Sequence, residues 1–399
     1  MIALAAATTP DQLCRRLNVL TTVVSVAFLF GIALSARLWI SDRAFPLVPV
    51  HPFFVTLLRP ANVALLTVVI VLLGVIPFRK SKWVFLAVIG TLVLLVAEDQ
   101  MRLQPWVYFY ALIFLPFVFT SHNKNDDVNN IVRCLQVLFV ACYFWSGVQK
   151  LHPNFLDNTF ADILKRLFRI TDTAPYKPLG YGIPLFEILT GFFLLFVRTR
   201  NVGIALAMAS HLFILLYLSP LGANANYVVY PWNVAMVLSV FLLFFKNTNT
   251  LFVFPEGIRS TFLQAGFVVL AGVMPALNFA GWWDHYLSFS LYADRINYLF
   301  VAIEASEMKN LNGRYNPYVI QVPGLSGGSI VNVEAWSMAE LHVPVYPEPR
   351  VFNVIAQRFC SHDIPEGKIV FMETTLPLSS TTLQTYTCAR FSRPIYDPH

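Results

Sequence analysis

The stretch Ala141-Cys142-Tyr143-Phe144-Trp145-Ser146-Gly147-Val148-Gln149-Lys150-Leu151-His152-Pro153-Asn154-Phe155 starts as an apolar, aromatic helix of the membrane type and runs straight into a lysine. The apolar part closes a span predicted at Ile131–Val148, and Lys150 stands at its boundary. Two roles are open to it. A lysine there can snorkel as a passive anchor, or its ammonium can lose its proton in a low-dielectric setting and act as a base.

Working outward, the same composition continues. Hydrophobic residues make up 57% of the 399 and charged residues 13%, which is too apolar for an ordinary globular domain and predicts an integral membrane protein. Apolar windows predict about nine transmembrane helices, at Leu17–Trp39, Ala61–Pro77, Trp83–Ala97, Trp106–Thr120, Ile131–Val148, Gly182–Val197, Val202–Leu218, Tyr227–Phe245 and Thr261–Phe279. The first 18 residues lack the short apolar core and small-residue cleavage site of a removable signal peptide. The basic residues fall in short clusters between the apolar runs, which reads as topology signalling and not as a nucleic-acid surface.

Alternate connections differ sharply in basic content. Arg15 and Arg16, then Arg79, Lys80 and Lys82, then Lys124 and Arg133, then Arg198 and Arg200, then Lys246 and Arg259 share one side; the other side has only Arg43, Arg59 and Arg102 in its short connections. The bias predicts a cytoplasmic N-terminus, an odd number of spans and an extracytoplasmic C-terminus. The long Gln149–Tyr181 connection then lies outside. Its Phe160, Ile163, Leu164, Leu167 and Phe168 recur at helical spacing among charges, the pattern of an interfacial helix or of a lid.

From about Gly281 the chain turns polar, so residues 1–280 read as the membrane domain and 281–399 as a small α/β outer C-terminal domain. Strands are predicted at Tyr318–Val322, Ser329–Val333, Lys368–Glu373 and Thr382–Cys388, with a helix at Glu348–Cys360. Five cysteines include no CxxC pair and no metal-ligand spacing, so no metal is predicted; on the outer side a Cys360–Cys388 disulfide could form.

Ionisable groups in spans are costly and mark either a partner or a cavity. Glu98 and Arg102 have i,i+4 spacing and read as a pair in a charged interfacial loop or as a site wall. Glu187 stands about one and a half turns into the sixth span, and His211 lies near the middle of the seventh. Asn224, Trp232 and Asn233 add amides and an aromatic at the outer mouth of the eighth, where an aromatic belt is the plain alternative. Topology gives these residues and Lys150 a shared depth. With Tyr143 and Trp145 before Lys150 and Phe155 after it, a flat, lipid-soluble phenol such as a quinol could stack there while the amine takes a phenolic proton. No Ser-His-Asp order, phosphate loop or HExxH helix is present.

The run Tyr143-Phe144-Trp145-Ser146-Gly147-Val148-Gln149-Lys150-Leu151, followed by Asn154-Phe155, resembles the vitamin K-dependent gamma-carboxylase and its microbial HTTM-domain relatives, in which Tyr-Phe-x-x-Gly-x-x-Lys-Leu closes a helix. Asp99, Arg102, Gln104-Pro105-Trp106, the helix of His211 and Tyr230-Pro231-Trp232-Asn233 are similar to segments of that family and of DoxX-like proteins, over roughly Arg15 to Phe279. The resemblance implies a quinol cofactor of the vitamin K or menaquinol type, with Lys150 as its base. Glu187 and His211 would relay protons, while Glu98, Arg102, Trp106, Tyr143, Trp145, Asn224, Trp232 and Asn233 would line the substrate. The short tail implies quinol binding or oxidation, not peptide carboxylation. The competing expectation is a non-enzymatic scaffold or accessory protein whose outer domain binds a protein partner through Trp336–Arg350, an aromatic, proline-rich segment.

Overall fold

The computed structural model describes residues 9–120, 125–251, 258–304, 306–308, 315–320, 328–361, 364–365, 367–375 and 383–391. Lys124 of the basic bias, and the predicted strand ends Val322 and Thr382, lie outside the described residues. Every predicted apolar segment is helical: α1 (Pro10–Leu34), α2 (Pro52–Val75), α3 (Lys82–Glu98), α4 (Pro105–Phe119), α5 (Asn125–Gln149), α7 (Gly182–Leu195), α8 (Arg200–Leu218), α9 (Tyr230–Phe244) and α10 (Ile258–Phe267), with α6 (Ala161–Leu167) between α5 and α7. Among the described residues, seven helical stretches are long and apolar enough to cross a membrane. The protein is a multi-pass membrane helix bundle.

Local signals set where these helices begin and end. Thr9 opens α1 with a full capping box to Gln12, and Ser81 caps α3 through the backbone of Trp83. Glu98 then ends α3 because Asp99 is extended and caps the next turn at Met101. Helix α4 starts at Pro105 and buries Trp106, Phe109, Tyr110, Phe114 and Phe117 inside the bundle. Lipid-facing side chains stay apolar and exposed, as at Phe30, Val63, Val93 and Phe192.

Helices α5 and α7 make the closest crossing. A Cβ on Gly147 would stand 2.6 Å from the carbonyl oxygen of Pro184, and one on Gly191 would stand 2.9 Å from that of Val140. Only glycine lets the two backbones meet. This contact brings the end of α5, with Lys150, beside the second turn of α7, with Glu187.

The C-terminal domain is an antiparallel sheet in the order β2-β3-β1-β4-β5, with β1 (Tyr298–Glu304), β2 (Val319–Ile320), β3 (Gly328–Asn332), β4 (Ile369–Thr374) and β5 (Gln384–Tyr386). Two helices, α11 (Val333–Leu341) and α12 (Pro349–Cys360), complete it. The central strand β1 was not among the predicted ones. Cys360 and Cys388 are disulfide-bonded, which ties the end of α12 to the segment after β5.

The Trp336–Arg350 segment is not a free surface. Glu340 accepts hydrogen bonds from the backbones of Ala44 and Phe45, Gln104 donates to the Pro344 carbonyl, and Phe45 packs on Trp336 with ring centroids 4.6 Å apart. Trp336, Leu341, Val343 and Tyr346 are buried. The aromatic and proline content that read as a partner surface serves instead to dock the C-terminal domain on the chain's own membrane bundle.

Candidate functional site: a chamber at the end of α5

A cavity of about 410 Å³ lies among α5, α7, α8 and α9, within the size range of small-molecule sites. Lys150, Glu187, Tyr143, His211, Trp232 and Asn233 all line it, so these six predicted residues converge. Its remaining wall is mostly apolar, with Phe155, Ile163, Phe186, Ile214 and Met236 among its members.

Two hydrogen-bonded groups stand in that wall. The first is centred on Lys150, whose Nζ lies 2.7 Å from Glu187 Oε2, 2.7 Å from Ser146 Oγ and 3.3 Å from the Ser146 carbonyl. Three acceptors use all three donors of an ammonium. The reading of Lys150 as a free amine is corrected by this geometry: its Nζ is held by three oxygens, one of them on Glu187. Lys150 is 5% exposed, so it is not a snorkelling anchor either.

The second group is a hydrogen-bonded chain of Asn233, His211 and Tyr143. Asn233 Nδ2 donates to the Val229 carbonyl at 2.8 Å, which turns its Oδ1 towards His211 Nδ1 at 2.9 Å. His211 Nδ1 therefore carries the hydrogen, and Nε2 accepts from the Tyr143 hydroxyl at 2.7 Å. His211 on α8 thus takes one ring partner from α5, Tyr143, and the other from α9, Asn233, and all three are buried.

The lid half of the Gln149–Tyr181 reading fits the placement of that segment. A three-residue turn at Pro153–Phe155 and a π-turn at Leu156–Phe160 lead into α6, and Phe155, Thr159 and Ile163 roof the cavity. Burial pushes the Asp294 carboxyl up to about 6, against hydrogen bonding from the Thr159 backbone, whose N–H reaches Asp294 Oδ2 at 3.0 Å. Tyr292 completes the roof with φ at 51°, an unusual left-handed conformation for so bulky a residue, and its hydroxyl accepts from Asn226 Nδ2 at 2.6 Å.

Five predicted residues stand elsewhere. Glu98 and Arg102 pair at 2.7 Å, but in a buried knot with Ser41, Asn62 and the carbonyls of Leu38, Trp39 and Leu95, beneath the docked C-terminal domain. Trp106 packs against Phe28 and Trp39 in the core. Trp145 donates its Nε1 hydrogen to the Gly272 carbonyl, and Asn224 Oδ1 accepts from the Tyr227 hydroxyl. Sequence depth grouped them because connections on one side of the membrane share a depth whatever their lateral position. Residues missed were Ser146, Thr159, Tyr217 and Tyr292. Ser146 was accessible through its i,i+4 spacing to Lys150; Tyr292 arrives from the far end of the chain with no local signal.

The fold and the chamber define an integral multi-pass membrane protein with a ligand-sized, mostly apolar cavity. Residues 128–228 match the model of the family described as methylamine utilisation protein MauE, a membrane protein family, over about a quarter of the chain. No curated protein and no solved structure matches the chain. The match overturns the resemblance to the vitamin K-dependent carboxylase and HTTM proteins, because Tyr143–Leu151, which carried it, falls inside the MauE segment. The residue types of that motif have a local explanation: Gly147 permits the α5–α7 crossing, and Lys150 closes it on Glu187.

Proposed function

We propose that the protein binds a flat, lipid-soluble phenol or quinone of the quinol class in this chamber and exchanges protons with it. The observation carrying this reading is that two separate hydrogen-bonded polar groups, Glu187–Lys150–Ser146 and Asn233–His211–Tyr143, stand in the wall of one otherwise apolar cavity. Such a wall matches a ring with a polar atom at each end. A ligand hydroxyl would donate to Glu187 while the Lys150 ammonium balances the carboxylate's charge, and the Tyr143 hydroxyl or His211 would serve the second oxygen. The basic-residue bias supports placing the chamber in the outer half of the bilayer, with the outer domain extracytoplasmic and the N-terminus cytoplasmic.

Menaquinol and menaquinone are the probes of choice for the protein in lipid nanodiscs. Saturable binding that weakens at least tenfold in Glu187→Gln and in Tyr143→Phe is the expected result, with quinol oxidation in air as a second readout. Partitioning of the probe indistinguishable from empty nanodiscs would sink the proposal.

A second reading is favoured by the family match. The name of the matched family supports an accessory role in a methylamine utilisation system, in which the chamber seats a lipid and a partner protein docks. Specific crosslinking to a membrane or extracytoplasmic partner, undisturbed by Glu187→Gln, would favour it over the first.

A further inference from the structure

Beyond the chamber lies a second cavity, of about 400 Å³, that is polar where the first is apolar. Asp157, Asn158, Asp162 and Lys165 line it, all on the π-turn and α6. Thr159 and Tyr217 belong to the walls of both cavities. The Tyr217 hydroxyl donates to Asp162 Oδ2 at 2.6 Å, and Asp162 is held in turn by both of its oxygens on Arg166 Nε. The side chains of Asp162 and Arg166 are 35% and 50% exposed, so the polar cavity opens to water. A tyrosine bonded across the wall between an apolar chamber and a polar, exposed one can open on side-chain rotation alone.

We propose that Tyr217 and Asp162 form the gate of a polar passage joining the membrane chamber to the aqueous side, along which a proton taken from a chamber ligand leaves. The gate stands on the two cavities and their shared wall; its use as a proton exit rests on the phenol-binding reading above. In the transfer, the Tyr217 O–H bond breaks towards Asp162 Oδ2 as the tyrosine oxygen takes a proton from a hydroxyl or water on the chamber side. Asp162 then yields its proton to vestibule water, and no electrons move. The π-turn is what places Thr159 against both cavities, in keeping with the frequency of such turns at functional sites.

Cys142 lines the chamber and reports on the gate without any quinol. The charged thiol reagent 2-sulfonatoethyl methanethiosulfonate must enter through a polar passage, whereas uncharged N-ethylmaleimide also enters through lipid. Full-length protein in nanodiscs is labelled with each reagent, and the Cys142→Ser protein provides the blank for the remaining thiols. Tyr217→Ala and Asp162→Ala are expected to raise the sulfonate rate about tenfold, the effect of losing one hydrogen bond to a charged group, with the maleimide rate unchanged. An unchanged sulfonate rate in both variants, or an equal rise for both reagents, overturns the gate. Because no quinol is used, failure of the phenol-binding reading leaves this result standing, and failure of the gate leaves binding intact.

Discussion

Lys150 Nζ and Glu187 Oε2 lie 2.7 Å apart and join the last turn of α5 to the second turn of α7, at the point where Gly147 lets the two backbones touch. Each charge is buried and each is satisfied chiefly by the other, so removing one strands its partner. Lys150→Met and Glu187→Leu should each cost about 3–5 kcal/mol of stability, while the double variant should lie near the parent. Thermal unfolding in detergent checks the cycle. Additive losses in the double variant would mean that the pair is not coupled.

Gly147→Ala tests the crossing itself. The new Cβ would stand 2.6 Å from the Pro184 carbonyl oxygen and 2.8 Å from the Ile188 backbone nitrogen, and neither can move as a side-chain tip could. Overpacking of this kind should cost about 1–3 kcal/mol and spread α5 from α7. Expected with it is a lower melting temperature and faster labelling of Cys142 by N-ethylmaleimide, since the widened seam borders the chamber. An unchanged melting temperature would show that the helices already stand farther apart.

How far the sequence reveals this architecture depends on the range of each signal. All nine apolar helices are legible because membrane burial imposes a local, one-dimensional pattern, and Lys150, Glu187, His211 and Asn233 are legible because an ionisable or amide group within such a pattern is rare. Depth is also local. Lateral position is not: the basic-residue bias predicts one side of the membrane for Glu98 and Lys150, but only three-dimensional packing decides that one meets Ser41 and the other Glu187. The same limit hid β1, whose inward Leu299, Val301 and Ile303 alternate as a strand should but follow directly on a loop that packs against the membrane domain.

The Glu98–Arg102 knot is predicted to be structural. Arg102 is fully buried and donates to Glu98, Ser41 and three backbone carbonyls, which binds the end of α3 to the loop on which Glu340 docks. Arg102→Met should cost about 3–5 kcal/mol by leaving Glu98 unpaired. In the fraction that remains folded, menaquinone affinity should match the parent, because no member of the knot lines the chamber. A selective loss of affinity with normal stability would return these residues to the site.

Docking of the C-terminal domain should weaken as pH rises, through Glu334 on α11. Burial pushes this carboxyl up to about 7 from an ordinary 4.5, and its Oε2 accepts a hydrogen bond from the Val345 backbone within the docked segment. A folded-state pKa above the unfolded value means that the folded protein binds the extra proton. The resulting stabilisation is present in full below about 4.5 and is lost as pH climbs through 7. Glu334→Gln keeps an acceptor for Val345 and removes the titration. The variant's melting temperature relative to the parent should therefore rise between pH 4.5 and 7 and level off above, a difference profile that cancels the other titrating groups, Asp294 among them. Melting followed by tryptophan fluorescence suits the measurement, since Trp336 packs on Phe45 across the docking contact. A difference that stays flat over this window would mean that Glu334 is ionised in the docked domain at no cost.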